Sequence, residues 1–137
     1  MSRTYTMIKP ECVERNQVGA IADRIEKGGF KILAMRMLRL SKQDAEAFYA
    51  VHKERPFYND LTEYMSGGPV VAMVLEKDNA VLAFREFIGA TNPADAAEGT
   101  IRKDFGTNIE NNAIHASDSD ENADIEINFF FGGRELL

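Results

Sequence analysis

The chain has 137 residues, 45% of them hydrophobic and 28% charged, which suits one soluble domain spanning residues 1–137 with a core of its own. Sixteen Lys and Arg against 22 Asp and Glu leave a net charge of −6, which argues against general attraction to nucleic acid or to an anionic membrane. Any polyanion this protein binds must meet a local basic pocket.

In chain order, the opening Met-Ser-Arg-Thr-Tyr-Thr lacks the basic start and apolar stretch of a signal peptide, and no later apolar run reaches membrane-spanning length. A cytoplasmic location is expected. Residues 3–9 alternate polar and larger apolar side chains up to Pro10, which predicts a strand delivering Lys9 at its end. Cys12 is the only cysteine, so it forms neither an intramolecular disulfide nor a cysteine metal cluster, and it reads as a small apolar residue. Val18, Ile21, Ala22 and Ile25 follow helical spacing within residues 17–27, and Gly28-Gly29 ends that helix. Residues 30–40 read as a second strand.

Ser41 with Asp44 three residues on marks a helix start, and Ala45, Phe48, Tyr49 and His52 share one face of the helix it opens. Pro56 interrupts, so a second short helix is expected over residues 57–65. Residues 69–75 form a nearly unbroken apolar run between Gly67-Gly68 and Glu76-Lys77-Asp78, the pattern of an interior strand. Asn79 is placed to cap a helix presenting Ala80, Phe84, Phe87 and Ile88. Residues 89–100, rich in Gly, Pro, Asn and small side chains, read as a long ordered loop. His115 then falls on a short strand, and a last helix from about residue 120 presents Ala123, Ile127 and Phe130 and ends near Gly132-Gly133. This order predicts an α+β sandwich on the βαββαβ plan.

One segment carries the chemistry. Asn112-Ala113-Ile114-His115-Ala116-Ser117-Asp118-Ser119 sets one of two histidines in a short apolar-to-polar turn, with Glu126 on the next helix. A histidine attacks an electrophile when one ring nitrogen is unprotonated and aimed, and a carboxylate on the other nitrogen fixes both tautomer and direction. Taken alone, His115 also fits a structural histidine satisfied by nearby backbone. There is no G-x-x-x-x-G-K-[ST] loop and no dinucleotide fingerprint, so phosphates would have to be held by side chains, with Lys9, Arg55, Arg85 and Arg102 as candidates. An isolated Phe57 after Pro56 would ordinarily be a core aromatic, and His52, on an apolar face, a partly buried one.

The order NAIHASDS resembles the active-site signature of nucleoside diphosphate kinases. Met7-Ile8-Lys9-Pro10, Phe48-Tyr49, His52-Lys53-Glu54-Arg55-Pro56-Phe57, Ser66-Gly67-Gly68-Pro69-Val70-Val71 and Gly89-Ala90-Thr91-Asn92-Pro93-Ala94-Asp95 resemble that family's other blocks in the same order, across essentially the whole chain. The resemblance implies a ferredoxin-like βαββαβ sandwich with a four-stranded antiparallel sheet. It also implies ping-pong transfer of the terminal phosphoryl group of a nucleoside triphosphate to a nucleoside diphosphate through phosphohistidine at His115.

By the same resemblance, Glu126 orients His115 and Ser117 holds Glu126. Lys9, Tyr49 and Arg102 surround the transferred group, and His52, Arg85 and Thr91 take the inner phosphates. Lys9 and Asn112 bond the ribose, the base stacks on Phe57 beside Leu61, and Arg55 lies on the rim. Stacking on an aromatic face explains tolerance of different bases, since every base is flat. No cluster of carboxylates or histidines has metal-cage spacing, so Mg²⁺ is expected to arrive on the nucleotide, with Asp118 touching it through a water. Nucleoside di- and triphosphates are the expected partners, with no specific nucleic acid. A homo-oligomer is implied, a hexamer in preference to a tetramer, because residues 91–102 form a rigid loop of the kind that serves hexamer contacts in relatives.

Three features depart from the family pattern. Ala116 stands where Gly is usual, which is compatible with activity if the backbone there is extended. Glu11-Cys12 stands where Asp-Ala is more common, and the chain stops soon after Gly132-Gly133-Arg134. A non-catalytic nucleotide-binding module on the same fold, with Ala116 marking a disabled site, is the competing function. The joint presence of Lys9, Tyr49, Arg102, Asn112, His115 and Glu126 weighs against it.

Overall fold

The computed structural model describes residues 1–136. Four strands, β1 (Ser2–Ile8), β2 (Lys31–Arg39), β3 (Pro69–Lys77) and β4 (Ile114–Ala116), form one antiparallel sheet in the order β2-β3-β1-β4. That is the strand order of a ferredoxin-like βαββαβ sheet. The apolar run of β3 lies between β2 and β1, the interior place its composition predicts.

A period of two sends alternate side chains to opposite faces, and each face has its own core. Val71, Met73 and Leu75 of β3, with Ile8 of β1 and Ile114 and Ala116 of β4, pack against Ile21 and Ile25 of α2 (Val18–Lys27) and Phe84 and Ile88 of α5 (Ala80–Ile88). On the other face Val70, Ala72 and Val74, with Tyr5 and Met7, pack against α3 (Lys42–Phe48), α4 (Tyr58–Ser66) and α7 (Asp120–Phe130). Burying one such aliphatic side chain stabilises by about 1.5–3 kcal/mol.

Helix ends follow local chemistry. At the end of α2, Gly29 takes φ 89°, and the amides of Gly29 and Phe30 reach back to the carbonyls of Glu26 and Ile25, which needs the left-handed residue to be glycine. Ser41 caps α3 by accepting from the Asp44 amide at 3.0 Å, as expected. Asn79 does not cap α5. It takes φ 52°, its side chain accepts no capping bond, and Ser2 Oγ accepts from the Ala80 amide at 2.8 Å instead. A left-handed residue at that point turns its side chain away from the helix start, so the cap comes from the neighbouring strand.

Two short helices were not expected from the pattern. Pro10, read as the end of a strand, also opens α1 (Pro10–Glu14), because its fixed φ suits a first helical turn. Thr100 caps α6 (Ile101–Phe105) by accepting from the Lys103 amide at 3.3 Å. The loop before α6 holds a single 3-10 turn, Pro93–Asp95, capped by Asn92. The face expected to run from Ala45 to His52 on one helix is broken after Phe48; His52 lies on a separate 3-10 turn, Ala50–His52. Among the described residues, no helix is long and apolar enough to cross a membrane.

Candidate active site

The strand β4 explains where His115 points. Ile114 and Ala116 enter one core, so the residue between them faces the other side of the sheet, opposite Met7 in the β1 register. There α7 passes. His115 Nε2 lies 2.9 Å from Glu126 Oε1, and Ser117 Oγ donates to the same oxygen at 2.7 Å. Ser117 has one proton, and its contact with the Tyr5 carbonyl is longer, 3.3 Å, so the carboxylate takes it, while the Tyr5 amide donates to Ser117 Oγ at 3.3 Å. With Nε2 donating to Glu126, the neutral ring keeps its lone pair on Nδ1. Tyr5, Phe48 and Tyr49 surround the imidazole, with ring centroids 5.9, 5.4 and 6.1 Å away. That packing fixes the ring plane. Ala116 lies in extended strand and is not among the positive-φ residues, so its methyl is accommodated.

His115 lines a cleft of about 690 Å³ together with Lys9, Tyr49, His52, Phe57, Leu61, Thr91, Arg102 and Asn112. The end of β1 places Lys9 there, and its Nζ donates to Asn112 Oδ1 at 2.7 Å. Asn112 Nδ2 in turn donates to the Thr91 carbonyl at 3.0 Å, which ties the loop of residues 89–100 to the segment that carries His115. Arg102, brought in by α6, donates to the carbonyls of Gly89 at 3.2 Å and Ile114 at 2.9 Å. Arg85 lines an adjoining cleft of about 420 Å³ that shares Thr91 and Arg102. Phe57, 45% exposed, is not a core ring; it stands over the cleft 5.5 Å from the His52 ring.

The basic wall is electrostatically incomplete. Lys9 and Arg102 are each only 7% exposed, and neither forms a salt bridge among the described residues. Burial, then the Arg102 charge, draws the Lys9 ammonium down to about 8; burial, then Arg85, draws Arg102 down to about 10. Arg102 Nε and the Tyr49 hydroxyl are buried without hydrogen-bond partners among the described residues, and burial, then Glu126, holds the Tyr49 phenol well above its usual range. A buried unsatisfied donor costs about 1–3 kcal/mol, so a polyanion reaching these groups recovers that cost.

Two expected residues stand apart. Arg55 lines neither cleft, and Asp118 is exposed, its Oδ1 accepting from Asn122 Nδ2 at 2.7 Å. That bond keeps the Asp118 carboxyl below its ordinary range. Among the described residues, no group of three or more His, Cys, Asp or Glu is arranged to hold a metal. The cleft also recruits Asp60, Tyr64, Ile109, Glu110 and Asn111, which sequence reasoning missed. Only Ile109 carried a signal, an apolar side chain in an otherwise polar loop, 51% exposed in the fold.

The nucleoside diphosphate kinase family model matches residues 2–136. A nucleoside diphosphate kinase of Geotalea uraniireducens is 57% identical over 137 residues, covering all of both chains. The chain superposes on the Aquifex aeolicus nucleoside diphosphate kinase with TM-score 0.97 at 47% identity, covering 99% of each chain. It superposes on a halophilic nucleoside diphosphate kinase of Halobacterium salinarum, solved in complex with CDP, with TM-score 0.94 at 38% identity, covering 99% of this chain and 91% of that one.

Proposed function

The chain belongs to the nucleoside diphosphate kinase family and moves the terminal phosphoryl group of a nucleoside triphosphate to a nucleoside diphosphate, and we propose that the transfer runs through phosphohistidine at His115. The observation behind this assignment is an imidazole tied at Nε2 to Glu126 and lining a cleft whose buried cations Lys9 and Arg102 form no salt bridge among the described residues. In the first half-reaction the Nδ1 lone pair attacks the terminal phosphorus, and the bond to the bridging oxygen breaks with its electrons on the departing diphosphate. Lys9, Tyr49 and Arg102 meet the equatorial oxygens, where charge accumulates in flight. Glu126, held by Ser117, stabilises the positive charge that grows on the ring. In the second half-reaction a terminal oxygen of an incoming diphosphate attacks the same phosphorus, and the electrons of the N–P bond return to Nδ1.

Thr91, His52 and Arg85 serve the inner phosphates, Asn112 with Lys9 the ribose, and Phe57 beside Leu61 the base. A relative solved with CDP supports a nucleoside diphosphate as the ligand class. Mg²⁺ would come with the nucleotide and supply neutralising charge to its phosphates. The exposed, charged Asp118 is suited to touch that ion through a water, and Arg55 to approach the phosphates from the rim. The edge strand β2 exposes Met35 and Met37, which supports assembly into a homo-oligomer, and we favour a hexamer over a tetramer. The cytoplasm, with its nucleotide pools and reduced thiols, is the proposed location.

The test is to mix the protein with ATP labelled on its terminal phosphate, denature it, and look for acid-labile label on His115, then to add GDP before denaturing. Label that forms and leaves as GTP is expected. A His115→Ala variant that exchanges phosphates between ATP and GDP at the parental rate would refute the assignment; the expected loss is roughly 10⁵-fold or more.

A further inference from the structure

Ala113, fully buried one residue before β4 begins, has φ 77°. Across it the Ile114 amide donates to the Asn112 carbonyl at 3.0 Å, a three-residue turn with a positive central φ, which an alanine adopts only when its surroundings hold it there. The turn removes the Ala113 amide from the strand ladder, and a buried amide must find another acceptor. That acceptor is Glu11, a residue for which the phosphotransfer steps have no use. Its Oε1 accepts from the Ala113 amide at 3.1 Å, and its Oε2 from the Thr107 hydroxyl at 3.3 Å. The Ala113 carbonyl accepts from the Lys9 amide at 2.9 Å. The opening of α1 thus grips both polar groups of one strained residue, two positions before His115.

We infer that Glu11 is a positioning residue for phosphotransfer: its carboxylate holds the Ala113 turn, and the turn sets His115 against Lys9 and Asn112. Without that acceptor, Ala113 relaxes toward negative φ, and the peptide plane leading into β4 rotates. The imidazole then no longer meets the phosphorus in line, and a displacement of about 1 Å costs on the order of 10²-fold in rate. Nucleotide affinity falls far less than rate, because Phe57, His52 and Arg85 come from other segments, while Lys9, Asn112 and Arg102 border the turn. The inference rests on His115 being the phosphoryl acceptor.

The experiment compares Glu11→Ala, Glu11→Gln, Ala113→Gly and the double variant Glu11→Ala/Ala113→Gly. It measures single-turnover labelling of His115 at saturating ATP, and ADP affinity. Glu11→Ala is expected to label about 100-fold more slowly with ADP affinity within about 3-fold of the parent. Glu11→Gln, whose amide oxygen still accepts, stays within about 5-fold. With glycine at 113 the positive φ costs nothing, so Glu11→Ala in that background loses at most about 10-fold.

Glu11→Ala labelling at the parental rate overturns the inference. So does Glu11→Gln falling as far as Glu11→Ala, or rate and ADP affinity falling together. If Glu11→Ala does not fold, the comparison within the Ala113→Gly background decides, and a gap of about 100-fold there overturns the inference. Absence of label on His115 in the parent would remove the proposed transfer role first; label in the parent with a fast Glu11→Ala removes only this inference.

Discussion

The two sides of the cleft are built on opposite principles. The side that carries His115 is finished: Nε2, Ser117 Oγ and the Glu126 carboxylate satisfy one another, and aromatic rings close around them. The side that carries Lys9, Tyr49 and Arg102 is unfinished: among the described residues its two buried cations form no salt bridge, and Arg102 Nε and the Tyr49 hydroxyl have no hydrogen-bond partner. A nucleophile must be aimed before its substrate arrives, whereas charge stabilisation works best when the charge it awaits comes with the ligand. Removing a group from the finished side should therefore cost rate alone. A group from the unfinished side should cost rate and binding together.

The largest effect expected in that comparison is at Arg102. Arg102→Ala removes the guanidinium proposed to meet the transferred group, so kcat/KM should fall about 10³-fold, with ADP affinity falling too. Steady-state exchange and ADP calorimetry read the two losses separately. If ADP affinity were untouched, the wall would be doing something other than awaiting phosphates. Next comes Glu126. Glu126→Ala should slow labelling of His115 by about 10²-fold while ADP binds as before. A parallel loss of ADP affinity would show that this arm also forms part of the ligand site, and the contrast would dissolve.

Legibility in the sequence divides along similar lines. Runs that serve one layer were plain: the unbroken apolar stretch of β3, the 3.6-residue spacing of α2, the serine before α3. What escaped depended on contacts made across the fold. Pro10 looked like a strand's end because a fixed φ suits either a stop or a helix start, and only packing chooses. Ser2 caps α5 from 78 residues away, which no local pattern announces. Most residues singled out through their family blocks line the cleft, yet Tyr64, Ile109 and Glu110 reach it from segments with no motif. Glu11 looked like a mere variant of the family pattern until the Ala113 turn gave it a partner.

A smaller effect, on pH, probes the unfinished side directly. The ordinary Lys9 value of 10.5 falls to about 8 in the free protein, so the unfolded chain holds a proton at this site, between those values, that the folded chain has lost. The unfolded chain binding more protons means that stability rises with pH through that window, and below about 8 the buried charge is carried at a cost. Bound phosphates reverse the sign by favouring the ammonium. ADP binding should then take up a proton near pH 8, and affinity should fall about tenfold from pH 7.5 to pH 9. Calorimetry in buffers of different ionisation heat measures the uptake; Lys9→Met should abolish it. A pH-independent affinity in the parent would mean that Lys9 does not face the phosphates.

The smallest effect belongs to Phe57, and it separates binding from chemistry at the cleft's other end. The ring is 45% exposed, so Phe57→Ala forfeits little core burial, and the melting temperature should hardly move. Stacking a base on an aromatic face contributes about 1–3 kcal/mol, and a half-exposed ring belongs near the lower figure, a rise of about fivefold in KM. The rate at saturation should stay within about twofold, because a base stacked on Phe57 would lie away from the phosphorus and be held equally in ground and transition states. Purine and pyrimidine diphosphates should lose affinity in proportion to their stacking surface, so GDP should suffer more than CDP. An equal loss for all bases, or a loss confined to kcat, would mean that Phe57 shapes the backbone around His52, its neighbour at 5.5 Å, rather than the face on which the base lies.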